Sequence, residues 1–321
     1  MNQPIPPWDA IVVGGGPAGL SAATWLARYR RKVLVLDSGE HRNQAVVEAH
    51  GYLGLGDFSP HDLLEQARKH LLEYGTVELR PARAAAARIE GPERFTLSLD
   101  DGEELHARRL VLATGVRDQL PDIPGFTEHY GASAFHCPSC DGYEARERHV
   151  AVVGWSELVA GFALNLLDWA RTVTIVTDGR RFEGDDEQRA VLIEQGVELL
   201  EDEVVELLGT GGQLEGARLR GGRVIECQLV FFSIAHVPSS DLAAQLGCER
   251  SEDDCVVVDD QGETSVAGVY AAGDMTPGTQ LVQIAAAKGT TAGIACAQSI
   301  RGEAPAPGAP APGPDPDEAS A

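Results

Sequence analysis

Near its start the chain reads Ala10-Ile11-Val12-Val13, then Gly14-Gly15-Gly16-Pro17-Ala18-Gly19, then an Ala- and Leu-rich stretch to about Arg30, then Lys32-Val33-Leu34-Val35-Leu36-Asp37. Few folds accept that order. Two buried strands joined through a helix lie parallel in one sheet with a right-handed crossover. Glycines in a turn are usually just a turn, but here a strand precedes them and a helix follows. Gly14, Gly16 and Gly19 then let the backbone approach a pyrophosphate resting on the helix N-terminus. Asp37 ends the next strand 23 residues after Gly14, where a carboxylate bonds a ribose hydroxyl. An unphosphorylated ribose fits FAD or NAD.

Ser59-Pro60 supplies a cap and an N1 proline for a helix that Gly75 closes, with Leu63, Leu64, Ala67, Leu71 and Leu72 on one face. A hairpin is expected from Arg94 to Ala107 around Asp100-Asp101-Gly102, and a buried strand from Leu110 into Ala113-Thr114-Gly115. The opening pattern then restarts. His149 to Val153 runs into Gly154, an apolar helix is expected from about Glu157 to Ala170, and Thr172 to Val176 is another strand. Near the end, Gly268-Val269-Tyr270-Ala271-Ala272-Gly273-Asp274 reads as strand plus turn, before a long Ala-rich helix to about Ile300. The expected class is α/β: two Rossmann-like, three-layer nucleotide-binding domains, the second inserted into the first. The boundaries fall at 1–118 and 245–302 for the first domain, 119–244 for the inserted one, and 303–321 for a disordered Pro- and Ala-rich tail.

Charge narrows the partners. Lys and Arg number 26 against 49 Asp and Glu, a net charge of −23. That surface repels phosphate backbones and anionic lipid heads, so nucleic acid and membrane surfaces are poor partners. No apolar run approaches the roughly 20 residues of a membrane helix, and Met1 to Pro7 lacks the features of a secretory signal, so the expected setting is cytoplasmic. Six cysteines are too few for a disulfide scaffold. Cys137-Pro138-Ser139-Cys140 is a tight pair, which in a reducing compartment is more often redox-active or metal-binding than structural. No second CxxC completes a zinc site, and no metal is expected.

Taken in order, Gly14-Gly15-Gly16-Pro17-Ala18-Gly19, Ala113-Thr114-Gly115, Cys137-Pro138-Ser139-Cys140-Asp141-Gly142 and Gly268 to Asp274 resemble the low-molecular-weight thioredoxin reductases over roughly residues 8–301. The resemblance implies FAD, an inserted pyridine-nucleotide-type domain that carries the CxxC, and a homodimer. Carried over, Gly14, Gly16, Pro17, Ala18, Gly19, Asp37, Thr114, Gly115 and Asp274 contact FAD, and Gln283 matches the family glutamine at the start of the last helix. By the same resemblance Cys140 is the flavin-side sulfur, Cys137 exchanges with substrate, and Asp141 donates and accepts the proton. The implied partner is a thioredoxin-like protein or a small dithiol or disulfide.

Three departures bear on NADPH or NADH. The second glycine loop reads Gly154-Trp155-Ser156-Glu157-Leu158-Val159, with side chains where phosphate needs bare backbone. Where the family has a basic cluster for a 2′-phosphate, this chain reads Thr177-Asp178-Gly179-Arg180-Arg181; Asp178 would repel that phosphate, while Arg180 and Arg181 could still serve it, although two arginines after a turn are usually just solvated. From Glu183 to Glu206 ten carboxylates face one base, Arg189, which reads as a solvated acidic face. The segments Ala49-His50-Gly51-Tyr52-Leu53-Gly54 and Asp141-Gly142-Tyr143-Glu144 are similar to the thioredoxin-reductase-like dithiol oxidases, which work without a pyridine nucleotide and tend to have His at the position of Asp141. His50 is either a base near the flavin or a hydrogen-bonded spectator. His136 could lower the pKa of Cys137, and His236 is expected to shape a turn. Three readings stay open: a nicotinamide-fed disulfide reductase, a dithiol oxidase or reductase with another donor such as reduced ferredoxin, and a non-enzymatic redox sensor.

Overall fold

The computed structural model describes residues 7–300. The expected tail, 303–321, lies outside the described residues. In chain order come β1 (Trp8–Val13), α1 (Pro17–Arg28), β2 (Val33–Asp37), α2 (Pro60–Leu72), β3 (Val77–Pro81), β4 (Ala84–Gly91), β5 (Arg94–Leu99), β6 (Glu104–Leu112) and β7 (Val116–Asp118). Then follow α3 (Phe126–His129), β8 (Ala134–Phe135), α4 (Pro138–Asp141), β9 (His149–Val153), α5 (Leu158–Leu166), β10 (Thr172–Val176), α6 (Asp186–Glu194) and β11 (Glu198–Leu200). The rest is β12 (Val204–Thr210), β13 (Gln213–Leu219), β14 (Val224–Glu226), β15 (Leu229–Phe232), β16 (His236–Pro238), α7 (Leu242–Gln245), β17 (Val269–Ala271) and α8 (Val282–Ser299).

The first sheet has the order β3-β2-β1-β6-β5-β4, and β17 also pairs with β6. Strands β1, β2, β3, β6 and β17 are mutually parallel, with Val12 opposite Val35 and Val111, and Tyr270 also opposite Val111. Their continuous apolar runs follow from burial on both faces. On one face α1 lies against α8. A Cβ at Gly289 or Gly293 would collide with the backbone of Ala18 or Ala22. Small residues therefore let these two helices touch backbone to backbone, which draws the C-terminal segment under the glycine loop.

The second sheet, β11-β10-β9-β15-β8, is parallel throughout. A three-stranded antiparallel sheet, β12-β13-β14, packs on its far side, with Leu207, Leu214, Ala217 and Ile225 sharing a core with Val153 and Phe232. The chain passes between the two large sheets in a narrow antiparallel ribbon, in which Val116 faces Pro238 and Asp118 faces His236. This is the inserted arrangement of two nucleotide-type folds. α7 packs beyond that ribbon, with Leu242 and Ala243 in the first core.

Several local expectations need correction. α5 ends at Leu166, because the amides of both Trp169 and Ala170 turn back to the Leu166 carbonyl. The reading from sequence passed over β3, β4 and the β12–β14 sheet, whose irregular burial and bulged registers weaken a simple periodic signal. The acidic stretch folds as α6, opened by a capping box between Asp185 and Gln188, and then β11, with most of its carboxylates exposed as expected. His236 sits in a strand and not in a turn.

Candidate active site

The chain leaves β1 at Gly14, whose φ of +116° suits glycine and where a Cβ would strike the Ala113 carbonyl at the end of β6. A Cβ on Gly19, in the first turn of α1, would strike the Gly14 carbonyl. These two glycines serve packing. Gly16 differs. It caps α1 in an extended conformation, and a Cβ there would meet no protein atom within 4 Å. Pro17 occupies N1, where its missing amide costs nothing. Bare backbone at a helix N-terminus therefore opens outward, into a cavity of about 770 Å³ that Gly14, Gly16, Pro17 and Ala18 line.

Asp37, at the end of β2, reaches the same cavity. One of its oxygens accepts from the Gly39 amide at 2.9 Å, and the other accepts from the Arg68 guanidinium at 2.8 and 3.1 Å. Beside it, His41 has both ring nitrogens buried without a hydrogen-bond partner. Burial and the neighbouring Arg68 lower its pKa, so the ring is neutral and offers one donor and one acceptor. Thr114 and Gly115 wall the cavity from the end of β6, and Asp274 and Gln283 wall it from the C-terminal segment. Arg42 ties these walls together: it binds Asp118 at 2.5 and 2.8 Å, Asp274 at 3.1 Å and Gln280 at 2.6 Å. The Gln283 amide donates to the Gly51 carbonyl at 3.4 Å.

The sulfur pair closes the cavity from the inserted domain. Cys137 and Cys140 are disulfide-bonded, with Cys137 capping the short helix α4 and accepting from the Cys140 amide. Ser139, Cys140 and Asp141 line the cavity, whereas Cys137 is not among its lining residues. Asp141 is 8% exposed. Burial, reinforced by the charge of Glu144 and opposed by His50, pushes its carboxyl up to about 7. A carboxyl with that pKa exchanges protons with a sulfur at neutral pH. His136 also lines the cavity, 3.7 Å from Asp118, but burial lowers its pKa despite that carboxylate. A neutral His136 is a poor stabiliser for the Cys137 thiolate. Every residue carried over from the resemblance, apart from Cys137 and Gly19, lines this one cavity.

The second glycine loop is built differently. A Cβ at Gly154 would meet the Ser233 carbonyl at 2.7 Å and the Val159 side chain at 2.9 Å, and Val159 is fully buried. The Arg180 guanidinium lies over the Trp155 ring, 3.8 Å from its centre, and the Glu183 amide donates to the Trp155 carbonyl. Asp178 accepts from the Val204 amide, and burial raises its pKa.

His41, Arg42 and Arg68 were not singled out from the sequence, and Glu144 was noted only as part of the segment that follows the CxxC. Arg42 meets partners 76 and 232 residues away, so no local pattern could reveal it.

A parallel-sheet nucleotide fold with a glycine cradle and a disulfide on one cavity defines a flavin-linked thiol–disulfide oxidoreductase. The family model for pyridine nucleotide-disulphide oxidoreductases matches residues 8–289. Thioredoxin reductase tcpT of Claviceps purpurea (strain 20.1) is 33% identical over 288 residues, covering 83% of this chain and 86% of that protein. A thioredoxin reductase of Mycolicibacterium smegmatis is 30% identical over 309 residues, covering 92% and 95%. The crystal structure of HlmI superposes with a TM-score of 0.87 at 35% identity, covering 93% of this chain and 95% of that one. The chain belongs to the pyridine nucleotide-disulphide oxidoreductase family, in its low-molecular-weight thioredoxin reductase-like group, and is an oxidoreductase whose cofactor is FAD. Its residues fit that cofactor: the cavity has the size of a cofactor site, Gly16 offers bare backbone at a helix N-terminus, and the Asp37 carboxylate reaches the same space.

Proposed function

We propose that this chain passes electron pairs between bound FAD and an external dithiol or disulfide through Cys137 and Cys140. The observation that carries the reading is that Cys140 and Asp141 line the same cavity as the Gly14–Ala18 cradle. Bound FAD supplies a two-electron centre able to react with a thiolate. Gly14, Gly16, Pro17, Ala18, Asp37, Thr114, Gly115, Asp274 and Gln283 would hold it, with Gly19 shaping the loop. Cys140 is the sulfur on the flavin side. Cys137 meets the external partner, and Asp141 gives Cys140 a proton when the disulfide opens and takes it back when it closes. The external partner is a thioredoxin-like protein or a small dithiol or disulfide. The working form is a homodimer in a reducing cytoplasm, and sedimentation of the FAD-loaded protein tests the first point. Among the described residues no helix is long and apolar enough to cross a membrane.

A second reading concerns the direction of flow. Side chains at Ser156 and Val159, and Arg180 engaged on Trp155, leave the second nucleotide loop a poor fit for NADPH or NADH. This favours dithiol oxidation, in which a substrate dithiol yields its disulfide while two electrons and two protons reach oxygen as peroxide. Anaerobic titration separates the two. Bleaching of the flavin by a dithiol alone, with peroxide formed on admitting air, supports the oxidase. Bleaching by equimolar NADPH or NADH makes the protein a nicotinamide-fed reductase. Cys140→Ser abolishes turnover either way; a fully active Cys140→Ser variant would refute the whole assignment.

A further inference from the structure

The acid beside the sulfurs is shut in. Asp141 is 8% exposed, yet the chemistry proposed above asks it for a proton at each turnover. When an external thiolate attacks the Cys137 sulfur, the bond to Cys140 breaks and its electron pair stays on Cys140, which takes a proton from Asp141. A second external thiol, on losing its proton, displaces Cys137 from the mixed disulfide, and Cys137 takes a proton in turn. The external dithiol loses two electrons and two protons; the cysteine pair gains both. The external protons leave from exposed sulfurs, so they do not refill Asp141.

The charges of two titratable groups act through space on the Asp141 carboxyl: Glu144, just beyond α4, and His50, on the loop between β2 and α2. Tyr130, on the cavity wall, also feels its charge. His50 has an unusual pair of neighbours. Its Nδ1 donates to Asp57 Oδ1 at 2.9 Å, and its Nε2 lies 3.9 Å from Glu144 Oε1. The other Glu144 oxygen is buried with no hydrogen-bond partner. Asp57 is 69% exposed, so the row of groups ends in water. The isolated bridge between Ala49 and Phe58 and an edge-on contact of Tyr52 with Phe58 hold the loop that carries both His50 and Asp57.

We propose that His50 is the proton port of the redox site: set by Asp57 at one ring nitrogen and facing Glu144 with the other, it carries protons between water and Asp141. The inference rests on the thiol–disulfide reading above. His50 acts through Asp141 and is in that sense a positioning residue, as is Asp57. Burial lowers the His50 pKa, but the Asp57 hydrogen bond and the charges of Glu144, Asp57 and Asp141 outweigh it and leave a net rise above its ordinary value.

The test uses the FAD-loaded full chain carrying His50→Gln, Glu144→Gln or Cys140→Ser. Reduction of the wild type by dithiothreitol is followed by rapid mixing across neutral pH, with and without imidazole. His50→Gln is expected to retain FAD and to slow about tenfold, with imidazole restoring the rate in proportion to its concentration. An unchanged rate, or a loss that imidazole does not mend, overturns the proposal. A second readout does not depend on turnover: the infrared carboxyl band that Asp141→Asn removes. Its titration midpoint is expected to fall in Glu144→Gln and to rise in His50→Gln, since the first loses a negative neighbour and the second a positive one; a midpoint unmoved in both overturns the proposal. If Cys140→Ser is still reduced through a thiol reaction, the reading beneath fails. If Cys140→Ser is inert and His50→Gln is normal, only the port fails.

Discussion

Arg180 lies over the indole of Trp155, its guanidinium carbon 3.8 Å from the ring centre, and so caps the glycine loop of the inserted domain with this chain's own side chains. A cation–aromatic contact at such a partly exposed site is worth about 0.5–1 kcal/mol. Trp155→Ala is therefore expected to cost about that much in urea unfolding. It should leave FAD content and dithiol-driven flavin reduction unchanged. A loss of bound flavin in this variant would contradict the separation of the two loops.

The two kinds of glycine in the first loop give opposite phenotypes. Gly16→Ala places a methyl group where no protein atom lies within 4 Å, in a backbone conformation open to any residue. The apo protein should unfold as the wild type does, while FAD affinity falls, read by flavin fluorescence on dilution. Gly19→Ala drives a methyl into the Gly14 carbonyl and should reduce soluble yield and melting temperature even without FAD.

Asp141→Asn removes the group that titrates at about 7. In the wild type, the rate of disulfide opening per unit of reductant thiolate should fall as pH rises through that value, because only the protonated carboxyl supplies Cys140. The Asn variant should lose that limb and run roughly 100-fold slower at neutral pH. Single-turnover reduction by dithiothreitol across the pH range is the check.

Arg42 supports a carboxylate that is only 6% exposed. Burial pushes Asp118 up, but the Arg42 hydrogen bond, the neighbouring His136 ring and the Arg42 charge overcome this and hold it below its ordinary value. A depressed carboxylate stabilises the fold above its unfolded pKa, and that stability is lost as pH falls through the folded pKa. Arg42→Met leaves the buried carboxylate without its guanidinium, at a cost of about 3–5 kcal/mol near neutral pH. Its sign with pH should invert: the variant gains stability on mild acidification, measured by urea melts at two pH values.

Much of this was readable in the chain. Four motifs located the glycine cradle, the ends of β6 and β17 and the redox pair, because each depends on a few adjacent residues in a fixed backbone shape. Ser59 does cap α2, accepting from the Asp62 amide, as its Ser-Pro signal implied. What escaped was of another kind. β12 to β14 pair through bulged registers, so burial does not alternate cleanly along them. Arg42 and Arg68 looked like ordinary charged loop and helix residues, and only their distant carboxylate partners give them a place in the site.

The order of residues alone determined the two parallel-sheet units, the glycine turn ahead of α1 and the adjacent pair of sulfurs, since backbone sterics and short spacing decide each of them. Folding decided the rest. The narrow ribbon of β7 and β16 carries the inserted unit over the first sheet, and that placement sets Cys140 and Asp141 on the cradle's cavity and His50 beside Glu144. Proton affinity at Asp141 is a property of that enclosure, because desolvation and neighbouring charge act through space and not along the chain.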